Sequence, residues 1–344
     1  MIIHLIHLNQ SFWIPLQTLN NRQNQSWLEI CIILILTLIC AYMTNILIYV
    51  MWKIQKFHLN NRIICTMFLA SWYFLMVGLL MVEPFEYGFL QIDDQNRTIH
   101  GLEGNELFEV EETLQNCSFL IGSFFIWIYI SSIAISTIFF IIERSIATFC
   151  FQNYENTKRL WLILLLTILI FVSTMLEVFA LMFRFIDFFG GMIETAIIHI
   201  ILIPIFFYLK YHNKTLHNLL KSGKLKVLNS LTARFQIEEN IKFFNIVTTV
   251  VICVNVMTSS FLILLFVEFL EIIDQNVVFL FLKYICLLNP LIVIPAVLYS
   301  MVEWRYPFLR MIYPCLKNCP QNIAKVNTVA TGVMYFQQLD NSWR

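Results

Sequence analysis

Residues 139–156 read FFIIERSIATFCFQNYEN, and within them a long apolar run stops at an adjacent acid and base, Glu143 and Arg144. Upstream, residues 117–142 contain no Asp, Glu, Lys or Arg. A helix rises 1.5 Å per residue, so a run of this length is enough to cross a hydrocarbon core of about 30 Å. Lipid offers no partner for backbone N–H and C=O groups, which makes a helix the required conformation; a β-barrel would show short alternating segments instead.

Six more such runs lie on either side. Together the seven occupy 28–52, 63–82, 117–142, 160–182, 189–209, 243–267 and 277–301, each with at most one charged residue. The chain of 344 residues is 59% hydrophobic and 13% charged, about half the charge of an ordinary soluble domain. The expected fold is therefore an all-α membrane protein, a seven-transmembrane helix bundle spanning 28–301, with a tail at 1–27 and another at 302–344. The start of the chain, MIIHLIHLNQSFWIPLQ, lacks a basic leader, and its apolar stretch is broken by His, Asn and Gln, so it reads as a short tail rather than a signal peptide.

Orientation follows from the loops. The set at 53–62, 143–159, 210–242 and beyond 301 holds 18 of the 22 Lys and Arg; the other set holds only Arg22, Arg97 and Arg184, and Lys283 lies within a span. The positive-inside rule puts the amino terminus outside and the carboxyl terminus in the cytosol. The sequons at Asn9, Asn24 and Asn96 then fall outside and are glycosylation candidates. The acidic segment from 83 to 116 suits that exterior face, whereas Asn213-Lys-Thr falls inside as a chance triplet.

On this topology Arg144 ends the third span at the cytosolic side, where a charge is costly unless paired. Glu143 can neutralise it, and Glu238 or Glu239 at the foot of the sixth span offers a resting partner. Such a pair acts as a latch whose opening uncovers an inner crevice; the plainer alternative is an Arg that snorkels to lipid headgroups. In the seventh span Pro290 and Pro295 each remove a backbone hydrogen bond, so a bend is expected at Asn289-Pro290. Pro204 is placed to do the same in the fifth.

The acid-Arg pair, the outside amino terminus and Asn289-Pro290 resemble a G-protein-coupled receptor. More narrowly, IIERSIATFCFQNYEN, with Glu143, Arg144, Ala147, Thr148, Tyr154 and Glu155, is similar to the signature of the nematode serpentine chemoreceptors of class epsilon, the Sre family. The closing LLNPLIVIPAVLYSMVEWRYPF is similar to that family's seventh helix and following turn, although Ser145 stands where the family pattern has an aromatic. The resemblance implies a chemosensory receptor that takes a small-molecule odorant or tastant and activates a heterotrimeric G protein. It also implies a multi-pass plasma-membrane location, expected in a sensory neuron cilium. Glu143, Arg144, Glu238, Glu239, Asn289 and Pro290 are then the coupling residues. The second span has no Asp, the sixth no Trp-Pro kink, and the seventh does not end its Asn-Pro motif with Tyr. These are departures from rhodopsin-like receptors.

Ligand-binding candidates are the polar groups within spans: Glu177, Glu194, His199, Asn255 and Lys283. The structural alternative pairs Lys283 with Glu194 or Glu177. Lys283 also stands seven residues before Pro290, the spacing of the retinal lysine of opsins, but the position for a counterion, 22 residues before Arg144, is Gly122. The abundant aromatics, with 32 Phe, 13 Tyr and 8 Trp, suit a greasy cavity. No metal or cofactor spacing, nucleophile elbow or phosphate loop is present, so an enzyme is not expected, nor is a nucleic-acid partner. Cys315 and Cys319, after the amphipathic VEWRYPFLRMIY, are palmitoylation candidates, and the basic loop at 210–242 is expected to bind anionic membrane lipid. The rival class is a seven-helix ligand-gated channel or transporter with an inward amino terminus; a nonsignalling homologue is a third reading. An epitope tag at the amino terminus separates the first two: staining of unpermeabilised cells is the expected result, and staining only after permeabilisation would reverse the topology.

Overall fold

The computed structural model describes residues 2–5, 10–14, 27–54, 59–87, 89–90, 107–110, 113–149, 160–186, 188–222, 231–269, 272–273 and 275–313. Ten helices are found among them: α1 (Trp27–Ile54), α2 (Leu59–Ala70), α3 (Trp72–Glu86), α4 (Leu114–Phe149), α5 (Leu160–Met182), α6 (Phe188–Lys221), α7 (Leu231–Phe269), α8 (Gln275–Leu287), α9 (Asn289–Ser300) and α10 (Val302–Ile312). Three short strands join them: β1 (Ile2–Leu5), β2 (Gln10–Trp13) and β3 (Leu107–Val110). Seven helical segments are long and apolar enough to cross a membrane. The second is α2 with α3, the seventh α8 with α9, and each of the others is one helix. α6 runs unbroken through Pro204.

Many large apolar side chains point away from the protein, among them Leu38, Trp161, Leu176 and Ile200, each at least 65% exposed. Polar groups turn inward instead: Thr44, Ser123, Glu143, Arg144, Asn213 and Asn240 are all buried. This is the arrangement expected where lipid is the solvent.

The two broken spans have local causes. Pro290 has no N–H, so the Cys286 carbonyl loses its helical donor. The Leu291 amide bonds Leu288 instead, at 2.9 Å, which frees the Leu287 carbonyl as well. Neighbouring spans supply donors to both. The Tyr129 hydroxyl reaches the Cys286 carbonyl at 3.5 Å, and Trp72 Nε1 reaches the Leu287 carbonyl at 3.3 Å with Cys40 Sγ beside it at 3.6 Å. Asn289 is buried and donates to the Tyr129 hydroxyl at 2.5 Å. The helix is thus interrupted at Leu288 and braced by the first three spans, while α9 runs on through Pro295. At the second break, Ser71 turns its hydroxyl back to the Phe68 carbonyl at 2.7 Å.

Beyond the seventh span, α10 places Trp304 and Phe308, four residues apart on one face, into the core formed with Leu47, Val50 and Met51 of α1. Arg305 donates to the Leu298 and Tyr299 carbonyls at 3.1 and 2.8 Å, which caps the end of α9.

The amino-terminal segment is more than a simple tail. β1 pairs antiparallel with β2 and parallel with β3, in the order β2-β1-β3. The sheet closes the end of the bundle that carries the amino terminus. Ile3 and Ile14 pack with Val82, Phe85 and Phe119, and Trp13 packs with Trp127 and Val178. The acidic segment that the sequence placed in a loop begins as helix, since α3 continues to Glu86. Likewise α6 and α7 extend well into the basic stretch at 210–242, so Glu238 and Glu239 lie on a helix.

The second and third spans touch backbone to backbone. A Cβ on Gly78 would lie 2.6 Å from the Gly122 carbonyl oxygen, and one on Gly122 would lie 3.0 Å from the Gly78 carbonyl oxygen. Side chains crowd the same place, with Ile126 Cγ1 2.7 Å from a Cβ on Gly78 and Met81 Cβ and Val82 Cγ2 2.8 Å from one on Gly122, and the main chain behind them cannot yield. Gly78→Ala is expected to cost about 1–3 kcal/mol, as overpacking does elsewhere. Gly122→Leu is expected to abolish the monodisperse peak of detergent-solubilised receptor in fluorescence-detected size exclusion.

Candidate functional site

Arg144 is 1% exposed and Glu143 is fully buried. Neighbours on a helix point about 100° apart, so the Arg side chain folds back along α4 to meet the carboxylate. Its Nε and Nη2 donate to the two Glu143 oxygens at 2.5 and 2.6 Å. A bidentate fork of this kind fixes orientation as well as charge. The remaining Nη1 donates to Asn240 Oδ1 at 2.8 Å, and the guanidinium lies 4.5 Å from the centre of the Phe243 ring. Both Asn240 and Phe243 belong to α7.

The contact extends into a polar chain. Asn240 Nδ2 donates to Asn213 Oδ1 on α6 at 3.2 Å, and Asn213 Nδ2 donates to Thr148 Oγ1 on α4 at 2.9 Å and to the Leu209 carbonyl at 2.8 Å. Asn213, Asn240 and Thr148 are all buried. The third, fifth and sixth spans are therefore tied together at one end by side-chain hydrogen bonds in a dry environment, where a broken bond leaves an unpaid polar group.

Among the described side chains, Glu238 is not the partner of Arg144. Glu238 points to the surface, and the side chain of Glu239 lies outside the described residues. Among the described side chains α7 offers Arg144 the Asn240 amide, which is neutral and forms a contact that can be exchanged at lower cost than an ion pair. Asn213 and Asn240 escaped the sequence reading because they sit among polar residues in a stretch taken as loop. The signal was the helical continuation of α6 and α7, which carries them back under the bundle.

Beside Phe243 lies a cavity of about 70 Å³. Cys65, Phe68, Phe140, Val293 and Trp304 form part of its wall. Asn255 borders it from farther along α7 and donates to its own Val251 carbonyl at 2.8 Å.

At the opposite end, Lys283 does not pair with Glu177 or Glu194. Its ammonium lies 2.5 Å from Glu83 and 2.9 Å from Glu86, both in the last turn of α3, and 5.4 Å from the centre of the Tyr87 ring. This pairing ties the second span to the seventh. Because Lys283 is held by two carboxylates, its proximity to Pro290 has a structural explanation. Glu177 is half-buried and Glu194 is exposed, while the side chain of His199 lies outside the described residues. Glu177 and Glu194 lie within electrostatic reach of one another, whereas Lys283 is held by the carboxylates of α3 and Asn255 borders the cavity beside Phe243. Asn9, Asn24, Asn96, Cys315 and Cys319 also lie outside the described residues.

Comparison with known proteins gives the same architecture a family. The family model described as Sre G protein-coupled chemoreceptor matches residues 1–344. The chain is 25% identical to serpentine receptor class epsilon-38 of Caenorhabditis elegans, with 98% of each chain covered. It is also 25% identical to serpentine receptor class epsilon-45 of that nematode, over 90% of this chain and 89% of the relative, and 25% identical to class epsilon-30 over the whole of both. No solved structure matches. With a seven-span bundle and a family match along its full length, the chain belongs to the Sre family of G protein-coupled chemoreceptors.

Proposed function

We propose that the chain detects a small environmental molecule at the end of the bundle carrying the amino terminus and activates a heterotrimeric G protein at the other end. On this reading the amino terminus faces outward and the receptor resides in the plasma membrane of a chemosensory cell, in keeping with the charge bias of the loops. The observation that carries the proposal is the buried Arg144, clamped by Glu143 and tied through Asn240 to the sixth span. A membrane protein has little reason to bury a guanidinium at a span end, where snorkelling to water is available, unless its release is useful.

The resting state is the one described above. Asn240 holds α7 against α4, Asn213 holds α6 beside them, and Phe243 covers the guanidinium. Activation separates Asn240 from Arg144 as α7 moves outward at this end, exposing Arg144 to a G-protein segment. The cavity next to Phe243 supplies unfilled space in which side chains can rearrange without overpacking. Asn289-Pro290 is the hinge, because backbone bonds already given up to Tyr129, Trp72 and Cys40 can be exchanged one side chain at a time.

The test reads signalling without a known ligand. In cells carrying a promiscuous Gα with a dissociation reporter, Asn240→Ala is expected to raise basal activation by several-fold. One lost hydrogen bond to a charged group is worth roughly 1.5–3 kcal/mol, enough to shift a two-state equilibrium about ten-fold or more. Arg144→Ala at matched surface expression is expected to abolish both the basal signal and its increase in the double variant. Unchanged signalling in Arg144→Ala would dismiss the latch.

A further inference from the structure

The amino-terminal hairpin does more than cover the bundle, because it sends one large aromatic side chain between the spans. Trp13 is only 6% exposed, and its buried cluster is built from four different spans: Trp127 and Ile128 on α4, Val178 and Leu181 on α5, Val278 and Leu282 on α8, with Leu264 of α7 at the edge. Phe12 beside it packs at 5.2 Å, centre to centre, against Phe183 just beyond α5. Ile14 is fully buried on the α3 side.

The strands alone do not account for this placement. Three strands of four residues make a sheet too small to be stable in water, so the inserted side chains hold the hairpin as much as the hairpin holds them. Gln10 and Ser11, at the start of β2, remain exposed. Trp13 stands at the open end of the hairpin, opposite Ile2, and β2 is an edge strand of the sheet, so this end can lift from the spans while β1 stays paired with β3.

The walls around Trp13 are apolar and aromatic and come from separate helices, which is the make-up of a small-molecule pocket between helices of a bundle. Deleting the indole from that cluster would leave a cavity lined by apolar groups, of the kind that stays dry and admits a matching aromatic molecule. We propose that this sleeve is the receptor's ligand site, that Trp13 is its resident occupant, and that the external ligand is a flat, uncharged aromatic molecule of indole size that displaces it. The proposal rests on the receptor reading above and assigns its ligand class.

The chemistry sets a quantitative expectation. A tethered occupant competes at an effective concentration in the millimolar range, and an external ligand binds only in the fraction of molecules whose Trp13 is out. The experiment uses the full-length receptor in lipid nanodiscs, with indole as the probe and no G protein present, so its outcome is independent of the coupling proposal. Equilibrium dialysis of radiolabelled indole is expected to show saturable binding to the wild type, and binding tighter by at least about ten-fold to Trp13→Gly. In a second arm the exposed Ser11 is replaced (Ser11→Cys) and spin-labelled in the protein that retains Trp13. Saturating indole is expected to increase the label's mobility, as β2 lifts. That arm needs no destabilised variant. Equal affinities in wild type and Trp13→Gly would overturn the proposal. So would an immobile label under saturating indole, even if Trp13→Gly binds the probe, because the indole hole would then be only a gap in a fixed cap.

Discussion

A polar group surrounded by hydrocarbon must find its partner within the protein, and this constraint decides where every irregularity of the fold can lie. Each unsatisfied backbone group there costs several kcal/mol. The seventh span can break before Pro290 only because Tyr129, Trp72 and Cys40 stand ready to take the two released carbonyls. Arg144 can be buried only because Glu143 takes two of its edges and Asn240 a third. Lys283 can sit inside a span only because α3 runs one turn farther than its apolar stretch and delivers Glu83 and Glu86. In each case the partner comes from another helix or from a neighbouring residue bent back, so the polar groups specify which spans are adjacent more sharply than the apolar ones do.

That distinction explains what could be read from the sequence. The seven spans, the bend at Asn289-Pro290 and the amphipathic α10 follow from local pattern: hydropathy over about 20 residues, a missing N–H, and apolar residues four apart. Glu143 and Arg144 were legible as a unit because they are adjacent. The partners were not. Asn240 is 96 residues from Arg144, and Glu86 is 197 from Lys283. Nothing within a span tells which rotation it adopts about its own axis, so charge alone points to Glu238 or Glu239 and passes over Asn240. Gly122 is similar. It was noted as a missing carboxylate, whereas its place in the fold is to let two backbones touch, a property visible only once Gly78 is seen opposite.

The strands of the amino-terminal segment are hard to read for a different reason. His4, His7, Asn9 and Gln10 break its apolar run and make it unfit to span lipid, which was the criterion applied. The short stretches IIHL and QSFW, rich in β-branched and aromatic residues, instead form strands too short to stand alone, completed by β3 about a hundred residues later.

The two ends of the molecule meet along the seventh span, and the break at Leu288 divides its duties. On one side α8 carries Val278 and Leu282 into the cluster around Trp13 and Lys283 onto the carboxylates of α3. On the other, α9 sets Val293, Ile294 and Val297 against Phe243, Phe244 and Val247 of α7, next to the residue that holds Arg144. A straight, continuously bonded helix would pass a displacement at Trp13 down its length as a rigid tilt, opposed by every contact at once. A helix already interrupted at Leu288 lets α8 adjust to a new occupant while the cost falls on the Tyr129, Trp72 and Asn289 bonds at the break. Those bonds join the first three spans, of which the second and third touch backbone to backbone at Gly78 and Gly122, so on the proposed mechanism these two form the fixed half and the sixth and seventh the movable half. The cavity beside Phe243 lies between these halves, at the place where α7 and α9 need room to shift.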